Sequence, residues 1–447
     1  MKAARWCVLA AAALSCARSA ATPPDPRQID FPQTAAVKVS PAAGGGWLLL
    51  FEALQAQALI TTPDRSAGLL DAGGEIVRRF AAPQGWILID AAAHPSGDVS
   101  LLSLRVDPAA EYPLRVLVSR FLAGGGLAGR ELSRLLPPEG PEAGPAFLAS
   151  LDRARIVASG EDLLAVVRWA NNAVQVFRLD GQGLEQRWAA WVEPAAPLFF
   201  LGIIGGGFDN FHQGDSAFFV YPDVDGQGDL HVAVASTEEV LRNHDAFFGE
   251  SLTARADPAS FDFGVAVVTR ITAQGERSPA SLLGMPGRGK RLLNLKMAGD
   301  SVILVGRIRT GDAPDGWDGW LLSSRADTAQ VDFERAVDVQ GGDMFWDVAA
   351  LEGGRILAVG STNYTQNPQG LSVSDARDPL ALVLDPQGKV EQRILLPSGP
   401  AGRGNEAISA SVGSGGEMAI CGVQNAPGTH AAVFSDAFLV VRGTDPF

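Results

Sequence analysis

The chain has 447 residues, 47% hydrophobic and 19% charged, which is ample material for a packed core and excludes global disorder. A net charge of -14 without any basic run excludes a nucleic-acid backbone as partner, since phosphate binding needs clustered Lys and Arg. Its 51 glycines and 28 prolines follow no collagen-like period, so they read as many tight turns in an all-β chain.

At the N-terminus, Lys2 and Arg5 precede an uncharged, Ala-rich stretch from Trp6 to Leu14. That stretch is too short to cross a bilayer, and residues 1–15 read as an export signal of lipoprotein type. Ala13-Leu14-Ser15-Cys16 resembles a bacterial lipobox, which makes Cys16 the lipidation site and residues 16–27 a tether. The expected location is the bacterial envelope, membrane-anchored through lipid alone. The alternative is cleavage near Ser19-Ala20-Ala21 and a soluble periplasmic or secreted protein. Cys7 falls in the signal, so Cys421 is the single thiol of the mature domain and is expected to be buried and structural.

Residues 28–447 read as one repeat-built domain. The unit is clearest late in the chain, where Gly353-Gly354-Arg355-Ile356-Leu357-Ala358-Val359-Gly360 returns as Gly415-Gly416-Glu417-Met418-Ala419-Ile420-Cys421-Gly422. Earlier copies begin at Gly46, Gly97, Gly160, Gly228 and Gly299, making seven. Each copy has a strand entering a Gly turn, an apolar second strand, a third strand and, after another turn such as Asp385-Pro386-Gln387-Gly388, a fourth. These features resemble the short β-propeller repeats of bacterial secreted proteins and lipoproteins. The resemblance implies a seven-bladed β-propeller of four-stranded antiparallel blades, and no particular activity. The seventh copy has only three strands, whereas Arg27-Gln28-Ile29-Asp30-Phe31 has no place in the first. The N-terminal segment is therefore expected to pair beside Ala437 to Arg442 and close the ring.

Asp262, Asp318, Asp378 and Asp436 share one repeat position before the third strand, and are expected to bond turn backbone rather than to gather round a metal. Asp223-Val224-Asp225-Gly226-Gln227-Gly228-Asp229 resembles the calcium loop of FG-GAP-type propeller repeats and dockerins. Gln227 stands where a third acid is usual and His231 where a closing acid is expected, which leaves few carboxylates for calcium. The same residues also fit the first hairpin turn of blade four. Calcium here is the only cofactor the sequence raises. No two of the five histidines have the close spacing of a zinc site.

Blade four departs most from the repeat. Leu198 to His212 precedes it, and a long insertion beginning near Ser236 carries helical signals. In an up-and-down blade, connections between second and third strands share a face with those between blades. That face should collect Asn210, Phe211, Asn243, His244, Asp245, Asp312, Asp315, Trp317 and His430 as the docking surface for a protein or small-molecule ligand. The favoured reading is a monomeric binding or scaffold protein at the envelope. The alternative is a propeller hydrolase, lyase or dehydrogenase with its site at the ring mouth over blades four and five. Asp209, His212 and Asp215 would then be the acid–base candidates.

Overall fold

The computed structural model describes residues 27–32, 34–53, 64–107, 109, 114–133, 154–169, 173–194, 220–236, 238–256, 265–283, 290–311, 316–363, 378–396, 404–426 and 436–443. They form seven four-stranded sheets, each a meander of antiparallel neighbours. The blades span 34–81, 87–132, 154–193, 220–283, 290–337, 344–393 and, for the last, 404–442 together with 27–31. The architecture is a seven-bladed β-propeller, as the repeat implies.

The ring closes through the N-terminal strand. Arg27–Phe31 pairs antiparallel with Asp436–Arg442, with Phe31 opposite Ala437, Ile29 opposite Leu439 and Arg27 opposite Val441. Phe31 also meets the Phe51 ring of blade one edge to face at 5.0 Å, and Gln424 donates to Asp30 at 2.8 Å. One short strand thus covers the open edge of blade seven and packs against blade one.

Apolar residues occur on both faces of each second strand because each blade is buried on both sides. In the blade-three strand Asp162–Arg168, Leu163 and Ala165 pack toward blade two, while Leu164 and Val166 pack toward blade four. Seven such clusters of described residues lie between adjacent blades, one per joint. Cys421 is fully buried in the joint between blades seven and one.

The insertion in blade four folds into two helices, α1 (Glu238–Phe248) and α2 (Leu252–Arg255). Leu241 and Leu252 are fully buried in the joint between blades three and four. Phe247 packs edge to face on Trp191 of blade three at 6.3 Å. Glu250 accepts the Ala280 amide at 3.0 Å and pairs with Arg277, while Arg255 donates to the Ala280 carbonyl. The helices therefore clasp the outer side of blade four, whose last strand is only Ser281–Leu283.

Candidate functional site

The inner strands of the seven blades surround a central channel of about 780 Å³, a volume in the range of small-molecule sites. The lining of the channel changes along its length. Glu52, Arg65, Arg307, Glu406 and Trp346 lie where inner strands begin, second strands end or third strands begin. This is the face of the inter-blade and second-to-third-strand connections. At the other end, Pro41, Ala93, Ala350 and Val412 close their inner strands beside the tight hairpin turns. The channel thus carries more charge toward the loop-rich face, whereas toward the turn face Asp223 and Lys296 stand among mostly small residues.

Between those ends, one polar side chain on each of six inner strands links blade to blade, and blade three joins through a backbone amide. Register shifts interrupt the inner strands of blades one, two, five, six and seven just before Lys38, Asp90, Asn294, Asp347 and Ser409. A bulge of this kind re-aims the side chain that follows it. Lys38 Nζ donates to Asp90 Oδ1 at 2.7 Å and to the Ala91 carbonyl at 3.1 Å. Asp90 accepts the Ile156 amide of blade three at 2.9 Å and the Ala91 amide at 2.8 Å. Asn294 donates to Asp347 at 2.7 Å. Asp347 also accepts Ser409 Oγ at 2.7 Å and the amides of Val348 and Ala410 at 2.8 and 3.1 Å. Ser409 in turn accepts the Val39 amide of blade one at 3.3 Å. In blade four, which lacks the shift, Asp223 reaches the Met297 amide of blade five at 2.8 Å.

Lys296 lies near the end of the blade-five inner strand, Lys290–Ala298, and lines the channel. Burial works against its charge, but Asp347, Asp223 and Asp90 outweigh that effect and hold its ammonium above the usual lysine value. Lys38 is affected the other way: burial lowers it and Asp90 only partly compensates.

The residues singled out in the sequence fall into three groups. Cys16, Asp209, Asn210, Phe211, His212, Asp215, Asp262, Asp312, Asp315 and His430 lie outside the described residues. Others are engaged internally. His244 is fully buried, 2.9 Å from Arg277 through Nε2, and Phe248 packs beside it. Asp245 accepts the Leu252 and Thr253 amides and so caps α2. Trp317 is buried beneath the Arg307 guanidinium, 4.5 Å from ring centre to Cζ. Asn243 is half-buried on α1.

The acidic loop before blade four's second strand forms the third group. Residues 225–228 make the hairpin turn that the repeat requires, and its three carboxylates diverge. Asp223 bonds Met297, while Asp225 accepts the Gln227 and Asp229 amides and His231 Nε2. Asp229 accepts Arg270 Nε at 2.9 Å and the Ala273 amide at 2.8 Å. Gln227 is exposed on the turn. Among the described residues, no group of three or more His, Cys, Asp or Glu is placed to hold a metal ion.

Sequence reasoning missed the lone polar residues of the inner strands and the Asp–Arg pairs of the turn face. Asp98–Arg120 and Asp162–Arg178 repeat the Asp229–Arg270 arrangement. Two of the repeated Asp residues before the third strand find side-chain partners among the described residues. Asp378 accepts Asn363 Nδ2 at 2.8 Å, and Asp318 accepts from Thr310.

No protein-family model and no curated protein sequence matches the chain. Similar solved structures include a streptogramin B lyase, at 11% identity over 93% of this chain and 98% of that one, TM-score 0.45. Others are the Dos1 propeller, at 6% identity over 93% of each chain, TM-score 0.46, and a protein of unknown function from Dyadobacter fermentans DSM 18053. The last is 12% identical over 94% of this chain and all of that one, TM-score 0.46. At these levels none of them lends this chain an activity.

Proposed function

We propose that the chain is an exported binding protein, anchored at the cell envelope by lipid on Cys16, which takes its ligand or partner at the charged mouth of the ring. The carrying observation is the change in lining: Glu52, Arg65, Arg155, Arg307 and Glu406 stand at the end of the channel that faces the long connections, and fewer charged residues stand toward the turns. Loops on a rigid scaffold are where binding groups accumulate. The segment with Asp209, Asn210, Phe211, His212 and Asp215 leads directly into Val220, which lines the channel as the first residue of its inner strand. Binding is favoured over catalysis because Asp90 and Asp347 accept hydrogen bonds on both carboxylate oxygens, so neither is poised to move a proton.

The test is charge reversal at the two faces, followed by cross-linking and capture from envelope fractions. Glu406→Lys at the mouth should abolish capture of the partner, whereas Asp385→Lys on the turn face should leave it intact. Equal capture by both variants, or loss with Asp385→Lys alone, would remove the mouth from the proposal.

A further inference from the structure

We infer that Lys296 anchors a second, interior site that binds a small anion carrying a carboxylate or phosphate head. The site deepens the binding reading above but stands on separate residues from the mouth. Its ground is hydrogen-bond valence rather than net charge. An ammonium has three donors and no acceptor, whereas a carboxylate offers about four acceptor positions. The acceptors here are largely used. Asp347 takes four hydrogen bonds, Asp90 takes three, and Asp223 gives one oxygen to Met297. Lys38 is used as well, between Asp90 and Ala91. Lys296 differs: among the described residues its ammonium has no hydrogen-bond partner, although it faces a cavity of about 780 Å³. An incoming cation would find most of the carboxylate acceptor positions occupied. An incoming anion finds free donors.

The surroundings define the remainder of the ligand. Toward the turn face beyond Lys296, the wall includes Ala93, Ala158, Ala350 and Val412, with the hydroxyls of Ser40 and Ser411 among them, which suits a short, mainly aliphatic body. Asp347, Asp223 and Asp90 keep the ammonium charged across the neutral range, so the anchor does not depend on the ligand for its protonation. A short carboxylate with its head on Lys296 and its chain among the alanines fits both halves of this environment. Inorganic phosphate shares the head-group chemistry without the chain.

The experiment uses the folded protein with butyrate and with inorganic phosphate as separate probes, at ionic strength matched with chloride. Calorimetric titration and thermal shift should show saturable binding of at least one probe. Butyrate binding identifies the carboxylate-with-chain class, and phosphate binding alone identifies the head group. Lys296→Met should weaken that binding at least tenfold, and Lys296→Arg should retain most of it. If Lys296→Met does not fold, the wild type still decides the matter. The chain has only five lysines, so after ¹³C-methylation the Lys296 resonance can be followed directly and should move on saturation with the probe. No saturable binding of either probe, unchanged affinity in Lys296→Met, or an unmoved Lys296 resonance at saturation would overturn the inference. Because Glu406→Lys leaves Lys296 in place, undiminished partner capture by that variant with retained probe binding would fail the mouth reading alone.

Discussion

At the scale of single residues, the channel shows how one polar side chain in an apolar strand can hold a ring together. Asp347 is 4% exposed and satisfies donors from blades five, six and seven. Removing it would leave Asn294 Nδ2, Ser409 Oγ and two amides without their acceptor. Asp347→Ala should cost about 3 kcal/mol or more, read from urea unfolding. A loss below about 1 kcal/mol would show that water replaces the carboxylate easily. Asp343 and His244 make the pH dependence a second test. Asp343 is fully buried, and burial raises its carboxyl to about 6 against the amides of Val339 and Gln340. The fold therefore favours its protonated form, and its contribution is lost as pH rises from about 4 to about 6, a penalty of about 3 kcal/mol above that window. Burial and then Arg277 push His244 the other way, well below its ordinary value. The fold favours neutral His244, so that contribution falls as pH drops below about 6.5. The two slopes oppose each other in the same window. Asp343→Asn should raise stability at pH 7.5 by about 1–3 kcal/mol, give no gain at pH 4, and steepen the rise between. An equal gain at every pH would rule out the carboxyl as its cause.

Among elements, the closing strand and the helical insertion carry different loads. Deleting residues up to Pro32 exposes the edge of Asp436–Arg442 and removes Ile29 and Phe31 from the joint between blades seven and one. Losing that much packing should cost roughly 3–5 kcal/mol, so the truncated chain should unfold at clearly lower temperature. Native stability would mean that the edge is covered in another way. Gly74 gives a milder probe of the same contact. It has φ +85°, and a Cβ there would lie 1.9 Å from Ile29 Cδ1, so Gly74→Ala should destabilise the closing strand without touching its sequence. The insertion is a local clasp instead. Glu250→Ala removes both the Arg277 pair and the acceptor for the Ala280 amide. Protease sensitivity should rise between Phe248 and Arg255 while the ring's unfolding midpoint changes little. A matching fall in the global midpoint would place the insertion within the cooperative core.

For the whole molecule, the export reading predicts where the protein is found. Wild type should fractionate with membranes, and Cys16→Ser should release it or block its processing. Soluble export of both forms alike would end the lipid-anchor proposal. The ring itself was legible because its physics is local and repeated. Alternating apolar second strands, glycine turns and an unmatched N-terminal strand each follow from short-range pattern. Even the last glycine of the repeated motif has such a cause: a Cβ on Gly360 would lie 1.8 Å from the Met344 carbonyl, and one on Gly422 would lie 2.0 Å from that of Glu406. By itself, then, the sequence determined the blade, the number of blades and the strand that closes them. Only the tertiary structure decided which polar residues face the channel. Lys38, Asp90, Asn294, Asp347 and Ser409 each stand alone among apolar neighbours, and a one-residue register shift determines where each side chain points. Sequence periodicity cannot show that shift, because it arises from pairing with the second strand. Lys296 was hidden for a related reason: its role depends on carboxylates from blades two, four and six, brought within reach only when the ring closes.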